Sequence, residues 1–173
     1  MAITRLGGAN AISGTIPQGN IANASLGAVT ALPAAITTGK VLQVVSGSTT
    51  TQVGVTANSY IDTGLTASIT PSSSSNKILI AIHQSIGKTA AHTWTDIKLL
   101  RDSTQIGLFA SVAFNGVSQS NYIGTTGCSF LDTPSSTSSL TYKTQFRNVA
   151  AAGTVNAQVD SGLSSITLME IAG

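Results

Sequence analysis

From Leu140 to Arg147 the chain alternates without a break. Leu140, Tyr142, Thr144 and Phe146 fall on one face, and Thr141, Lys143, Gln145 and Arg147 on the other. A period of two belongs to a strand with one buried and one wet face, and no helix can separate these two sets. Leu140, Tyr142 and Phe146 are therefore expected to point into a core. The same alternation returns at Leu65–Thr70, where Leu65, Ala67 and Ile69 interleave with Thr66, Ser68 and Thr70. Between Lys77 and Ile86 both faces are apolar, Ile78, Ile80 and Ile82 on one and Leu79, Ala81 and His83 on the other, which places this strand centrally in a sheet.

The remaining segments are short and divided by turn residues. Val41–Val45 is a compact aliphatic run, with Gly47 and Ser48 expected to turn it into Thr50–Thr56. Ser59–Thr63 precedes Gly64, and Pro71–Asn76 reads as a loop. Asp102-Ser103 joins Thr95–Arg101 to Thr104–Ala110 at hairpin spacing, and Asn115-Gly116 separates Leu108–Phe114 from Val117–Ile123. Cys128–Leu131, Val155–Val159 and Ser165–Ile171 bring the total to about nine or ten strands, and Val149–Gly153 is too short to count as a helix. Composition agrees, since 23 Ser and 24 Thr supply the polar surface of a chain that is 42% hydrophobic and only 8% charged. Average soluble proteins carry about 25% charged residues. The expected fold is all-β, an antiparallel β-sandwich closed like a jelly roll, because two Greek-key sheets limit exposed edges. Lys, Glu and inward charges normally guard edge strands. This chain has few of them, so its edges are expected to be covered by neighbouring subunits.

The pattern changes near residue 40. Residues 1–39 hold one charge, Arg5, and no aromatic residue, yet carry nine aliphatic side chains, among them Ile3, Leu6, Ile12, Ile16, Ile21 and Leu26. Their spacing fits neither a helix nor a strand, and Pro17 and Pro33 push the residues before them toward extended backbone. Such a strip cannot bury its own side chains, and flexible tails are more charged and less apolar than this. We read 1–39 as an extended arm or anchor whose assembly contacts are Ile3, Arg5, Leu6, Ile12, Ile16, Ile21 and Leu26, and 40–173 as the β-sandwich head.

Few reactive constellations can be assembled from six acids, two histidines and one cysteine. His83 and His92 lack a nucleophile-elbow context. Asp62, Asp96, Asp102, Asp132, Asp160 and Glu170 are isolated in sequence and expected to cap and turn rather than to pair as general acid and base. Cys128 stands alone, which excludes an intrachain disulfide and a cysteine zinc cluster. The lysines and arginines are scattered rather than striped, as a nucleic-acid reader would need. No apolar run approaches the length of a membrane span or a secretion signal, so synthesis in the cytoplasm is expected. The loop Lys88–Trp94 presents the only tryptophan, and His92 and Trp94 form a candidate exposed binding loop, weighed against a tryptophan packed beneath it.

Three stretches carry a family resemblance: GKVLQVV at Gly39–Val45, DTGLTASITPSSSSNKILI at Asp62–Ile80, and SSITLMEIAG at Ser164–Gly173. Together they resemble a module of virion proteins from tailed bacteriophages, notably those of marine bacteria and cyanobacteria, over nearly all of Gly39–Gly173. The resemblance implies a homotrimeric β-sandwich head, a non-enzymatic role in the virion without cofactor, and partners among other virion proteins, either the major capsid protein or a tail component. Neither nucleic acid binding nor membrane insertion is implied. Phage fibres usually place long adaptor and shaft regions before such a head, and their lack here favours capsid decoration or a short capsid fibre. The alternative is a receptor-binding tail-fibre head that recognises a host surface glycan or protein.

Overall fold

The computed structural model describes residues 41–173 except Asn115 and the side chain of Val112. Ten strands follow one another: β1 (Val41–Thr49), β2 (Val53–Val55), β3 (Ile61–Ile69), β4 (Lys77–Lys88), β5 (Thr95–Arg101), β6 (Thr104–Ala113), β7 (Tyr122–Asp132), β8 (Leu140–Asn148), β9 (Val155–Ala157) and β10 (Ser164–Ile171). A 3-10 turn at Val159–Ser161 separates the last two.

The pairing is nested. The first strand pairs with the tenth, the second with the ninth, the third with the eighth, the fourth with the seventh and the fifth with the sixth, all antiparallel. Contacts of β4 with β10 and β9, and of β5 with β8, then join these ladders into two sheets. One sheet runs β7-β4-β10-β1, with β9 and β2 continuing beside the far end of β4; the other runs β3-β8-β5-β6. An antiparallel ribbon folded on itself, whose pairs from β2–β9 inward alternate between two facing sheets, is a jelly roll.

The alternating strands bury the faces their sequences assign. Leu65, Ile69, Ile78, Ile80, Leu99, Leu140, Tyr142, Ile166 and Leu168 form one apolar cluster, while Val55, Ile86, Ile97, Phe146, Val155 and Ala157 form another. The buried side chains Thr63, Gln84, Thr144, Gln158 and Ser164 form a hydrogen-bonded polar group of their own. Thr63 and Thr144 share a hydroxyl contact of 2.5 Å, Thr144 donates to Gln84 Oε1 at 3.0 Å, and Gln84 Nε2 donates to Ser164 Oγ at 3.0 Å. The Gln158 amide nitrogen donates to the carbonyls of Thr63 and Thr51, and its oxygen accepts from Gln84 Nε2 at 2.7 Å. Among the described residues no buried side-chain polar atom lacks a partner, which is the condition under which a polar group in a core is tolerated.

Several boundaries differ from the sequence expectation. Gly47 and Ser48 do not turn; they continue β1, paired with Ile166 and Ser165. A Cβ on Gly47 would stand 2.0 Å from the Thr66 carbonyl oxygen on the opposite sheet, so glycine here serves close approach of the sheets rather than a bend. Gly47→Ala is accordingly expected to lower stability by about 2 to 3 kcal/mol. This shifts the thermal midpoint down by about 5 to 10 °C. A calorimetric scan that overlays the wild type would refute the close-approach role. Gly64 (φ +85°) does not separate two strands but bulges one, with the β3–β8 register shifting between Asp62 and Thr66. The turn at Gly116 (φ +81°) is present, yet the strands it separates lie in different sheets: β6 pairs with β5, while β7 starts only at Tyr122 and pairs with β4.

Candidate functional site

The outer face of the β3-β8-β5-β6 sheet is dressed for water. Lys143 Nζ lies 3.0 Å from Asp62 Oδ2, Gln145 donates to Asp62 Oδ1 at 2.7 Å, and Arg147 Nη2 reaches Asp96 Oδ2 at 2.6 Å. Lys98 Nζ sits 4.0 Å above the Tyr60 ring, and the Arg147 guanidinium lies 4.8 Å from the same ring. Burial works to raise the Asp62 carboxyl, but the hydrogen bonds from Gln145 and Lys143 outweigh it and hold the group below its ordinary value. The acids thus do more than cap turns. Asp102 sits in the β5–β6 turn at φ 54° and ties it to β8 by accepting the Thr141 amide at 2.9 Å, whereas Asp62, Asp96 and Asp132 pair with cations across strands.

The outer face of the β7-β4-β10-β1 sheet is dressed differently. Ile78, Ile80, Ile166, Leu168 and Glu170 are buried, so their strand neighbours point the other way. Register aligns those neighbours into rows. Val44 stands beside Met169, Met169 beside Leu79, and Leu79 beside Leu131, an aliphatic row across all four strands. Leu42 and Ile171 extend it toward one end, and Val44, Leu42 and Leu131 are 58%, 51% and 50% exposed. The next row is Ser46, Thr167, Ala81 and Ser129, and the one after it Ser48, Ser165, His83 and Gly127. These small residues floor a shallow depression of about 390 Å³ lined by Ala81, His83, Gly127, Ser129, Ser165 and Thr167. Only Lys77, at the margin, brings a formal charge to these rows.

Parts of all three stretches that carry the family resemblance meet on this sheet, although the strand residues Asp62–Ile69 of the second lie in β3 of the other sheet. β1 holds the first, β10 the third, and β4 begins at the end of the second. Glu170 ties them together on the inner side. Its carboxylate accepts from Asn76 Nδ2 at 2.5 Å, Gln43 Nε2 at 2.6 Å, and the Ser72 amide and hydroxyl at 2.6 and 2.7 Å. Burial would raise this carboxyl, but those donors outweigh burial and bring it down to about 2. The serine-rich loop between β3 and β4 is therefore held by a buried acid far away in sequence.

At another place on the head, a cavity of about 330 Å³ is lined by Gln52, Lys88, Thr89, Asn121, Ile123, Asn156, Val159 and Asp160. Lys88 is buried and donates to the Val117 carbonyl, and Asn121 and Asp160 hold left-handed backbone angles of 52° and 50°. Amide and ammonium groups converge there, a lining that can hydrogen-bond a neutral polar ligand.

His92 and Trp94 lie together on the β4–β5 loop. His92 is exposed with φ 54°, and Trp94 is half-buried, its carbonyl accepting the Val149 amide at 3.0 Å. His83 is on the β4 outer face, and Cys128 lies on β7, packed beside the first apolar cluster, where burial pushes its thiol up. Ile3, Arg5, Leu6, Ile12, Ile16, Ile21 and Leu26 lie outside the described residues. The aliphatic row was not anticipated as a surface. Its signal was the two-faced apolarity of Ile78–His83, which placed β4 centrally but left its second face without a cover. Among the described residues no group of three or more His, Cys, Asp or Glu side chains converges to hold a metal, and no helix is long and apolar enough to cross a membrane.

Neither a protein-family model nor a curated protein matches the sequence. Among solved structures, the chain is similar to one of infectious bursal disease virus, Gx strain, with 11% identity and a TM-score of 0.46, covering 77% of this chain and 33% of that one. It is also similar to the VP2 subviral particle of that virus (13% identity, TM-score 0.44, 77% and 34% covered) and to its Gt strain (9%, 0.43, 77% and 39%). This chain thus spans between a third and two fifths of each of those chains.

Proposed function

We propose that this chain is a non-enzymatic structural protein of a tailed-phage virion, a capsid decoration protein or short capsid fibre, in which residues 1–39 anchor a trimeric head that projects outward. One observation carries the reading: parts of all three resembling stretches, the start of β1, the start of β4 and β10, meet in one sheet and build its aliphatic outer row from Leu42, Val44, Leu79, Met169 and Ile171. A head meant to stand alone would expose hydroxyls and charges there, as the other sheet does; a head meant for assembly would not. The nine aliphatic residues of 1–39 point the same way, since they need partners to be buried.

Deleting residues 1–38 is expected to leave a head with an unchanged far-ultraviolet circular dichroism signal for residues 41–173 that no longer associates with particles. Normal particle binding by the truncated protein would move the attachment to the head. Difference maps of decorated and undecorated particles would give the position, on the shell for decoration and on the tail for a fibre. A second reading, a receptor-binding head, is favoured by the amide-lined cavity at Gln52, Lys88, Asn121 and Asn156. Adsorption of the purified protein to host cells, abolished by Asn121→Ala and Asn156→Ala, would select it.

A further inference from the structure

We propose that the outer face of the β7-β4-β10-β1 sheet is where copies of this chain meet one another, its occupants being the same faces of neighbouring copies, three of which turn this face toward a common axis. The inference rests on the assembly reading above and gives it a surface.

A face that meets its own copies faces a constraint that a face for a foreign partner does not. Every charge it carries is brought near an identical charge, and like charges placed opposite one another repel. The outer rows of this sheet hold only Lys77, and that at the margin, whereas the outer face of the other sheet holds Asp62, Lys98, Lys143 and Arg147. In a chain so poor in charge, the ionic side chains are distributed unequally between the two faces, and the face without them is the one that can close on itself. Its chemistry is also self-complementary. The row Val44, Met169, Leu79 and Leu131 offers apolar surface to an identical row, and the rows of Ser, Thr, Ala and Gly beside it allow two sheets to approach.

The size fits too. Four strands spaced by about 4.8 Å and eight residues long at about 3.4 Å each give a face of about 19 by 27 Å, roughly 500 Å² in projection. Side-chain relief adds to this, which brings the face to the scale of the roughly 800 Å² that each partner contributes to a stable interface. β1 and β7, the margins of this sheet, would be shielded by the same contact, relieving edges that carry few guarding charges.

The full-length chain tests this by light scattering at tens of micromolar. The wild type is expected at three times the 17.4 kDa chain mass, and Val44→Lys with Leu131→Lys at 17.4 kDa with an unchanged circular dichroism spectrum. Thr66→Lys with Ser68→Lys adds the same charge to the other sheet and should leave the mass of the assembly unchanged. A mass of two chains that falls to one in the Val44/Leu131 variant would sustain the interface and replace the three-fold arrangement. A monomeric wild type, or a Val44/Leu131 variant that stays assembled, overturns the inference; protection of the row by residues 1–40 of its own chain, or by another virion protein, would give the first of these results. Should the double variant fail to fold, Leu131→Cys in a Cys128→Ser background supplies an independent readout. A short bismaleimide should join chains of Leu131→Cys and not of Thr66→Cys made in the same background, and equal or absent cross-linking of the two variants counts against the interface. The mass is read without particles, so failure of the virion assignment shows separately, as a protein that assembles but does not bind them.

Discussion

Glu170→Gln is expected to cost about 3 kcal/mol at neutral pH, about as much as losing a carboxyl held from 4.5 down to about 2. Its four neighbours are all donors: Asn76 Nδ2, Gln43 Nε2, and the amide and hydroxyl of Ser72. Glutamine replaces one acceptor oxygen by an NH2 group that meets only donors, inside a site where the residue is 1% exposed. The pH dependence follows from the sign of the shift. A carboxyl with its folded value below its unfolded value contributes its full stability above about pH 4.5 and loses it as pH falls toward 2. Wild-type stability should therefore decline through that window, and the variant, lower at neutral pH, should show a shallower decline. Urea unfolding at pH 7, 5, 4 and 3 measures both, and parallel profiles for the two proteins would remove Glu170 as the titrating group.

Asp132→Ala should destabilise by about 3 to 5 kcal/mol, the range for breaking a buried ion pair. Asp132, the last residue of β7, accepts Arg101 Nη1 from β5 at 2.9 and 2.8 Å and the Tyr142 hydroxyl from β8 at 2.7 Å, so one carboxylate ties the two sheets together. Tyr142 has no exposed surface, and its hydroxyl would be left without an acceptor. Burial and the carboxylate together push that phenol well above its usual range, so it stays a donor. Arg101 keeps 25% of its side chain in contact with water and can recover some hydration, which favours the lower end of the range. Asp132→Asn, which retains an acceptor for Tyr142, should lose about half as much. Equal losses for the two variants would show that the charge alone matters and that the tyrosine contributes nothing.

What could be read from the sequence was what is local. The alternation of Leu140–Arg147, the central place of Ile78–Ile82 and the tight turn at Asp102-Ser103 all express a two-residue period or a single turn, and the structure has each of them. What could not be read depends on a residue from elsewhere. Gly47 looks like a turn until the Thr66 carbonyl lies over it, and Asn115-Gly116 suggests a hairpin although β7 finds β4 instead. Thr144 shares the inward face of β8 in the sequence, but nothing local shows that Thr63, Gln84, Gln158 and Ser164 meet it in the core, because the groups that satisfy them are mostly dozens of residues away. The aliphatic row lies between these cases. Each strand shows its own share of it, Val44 on β1, Leu79 on β4, Leu131 on β7 and Met169 on β10, but only the register makes one surface of them.

The nested pairing also sets the order in which the head can come into being. Arg101 meets Thr104 across a tight turn, whereas Thr49 must wait for Ser164. Closing a larger loop costs more chain entropy, and folds dominated by such distant contacts form slowly, over milliseconds to seconds. On a ribosome the β5–β6 hairpin can form early, with successive pairs added outward, while β1 stays without its ladder until β10 has been made. β10 is not an outer strand when it arrives; it enters between β1 and β4. A chain cut short before Ser164 therefore lacks the middle of a sheet rather than its margin. Translation that stops early therefore gives no nearly finished head, and the topology itself separates interrupted products from the complete fold.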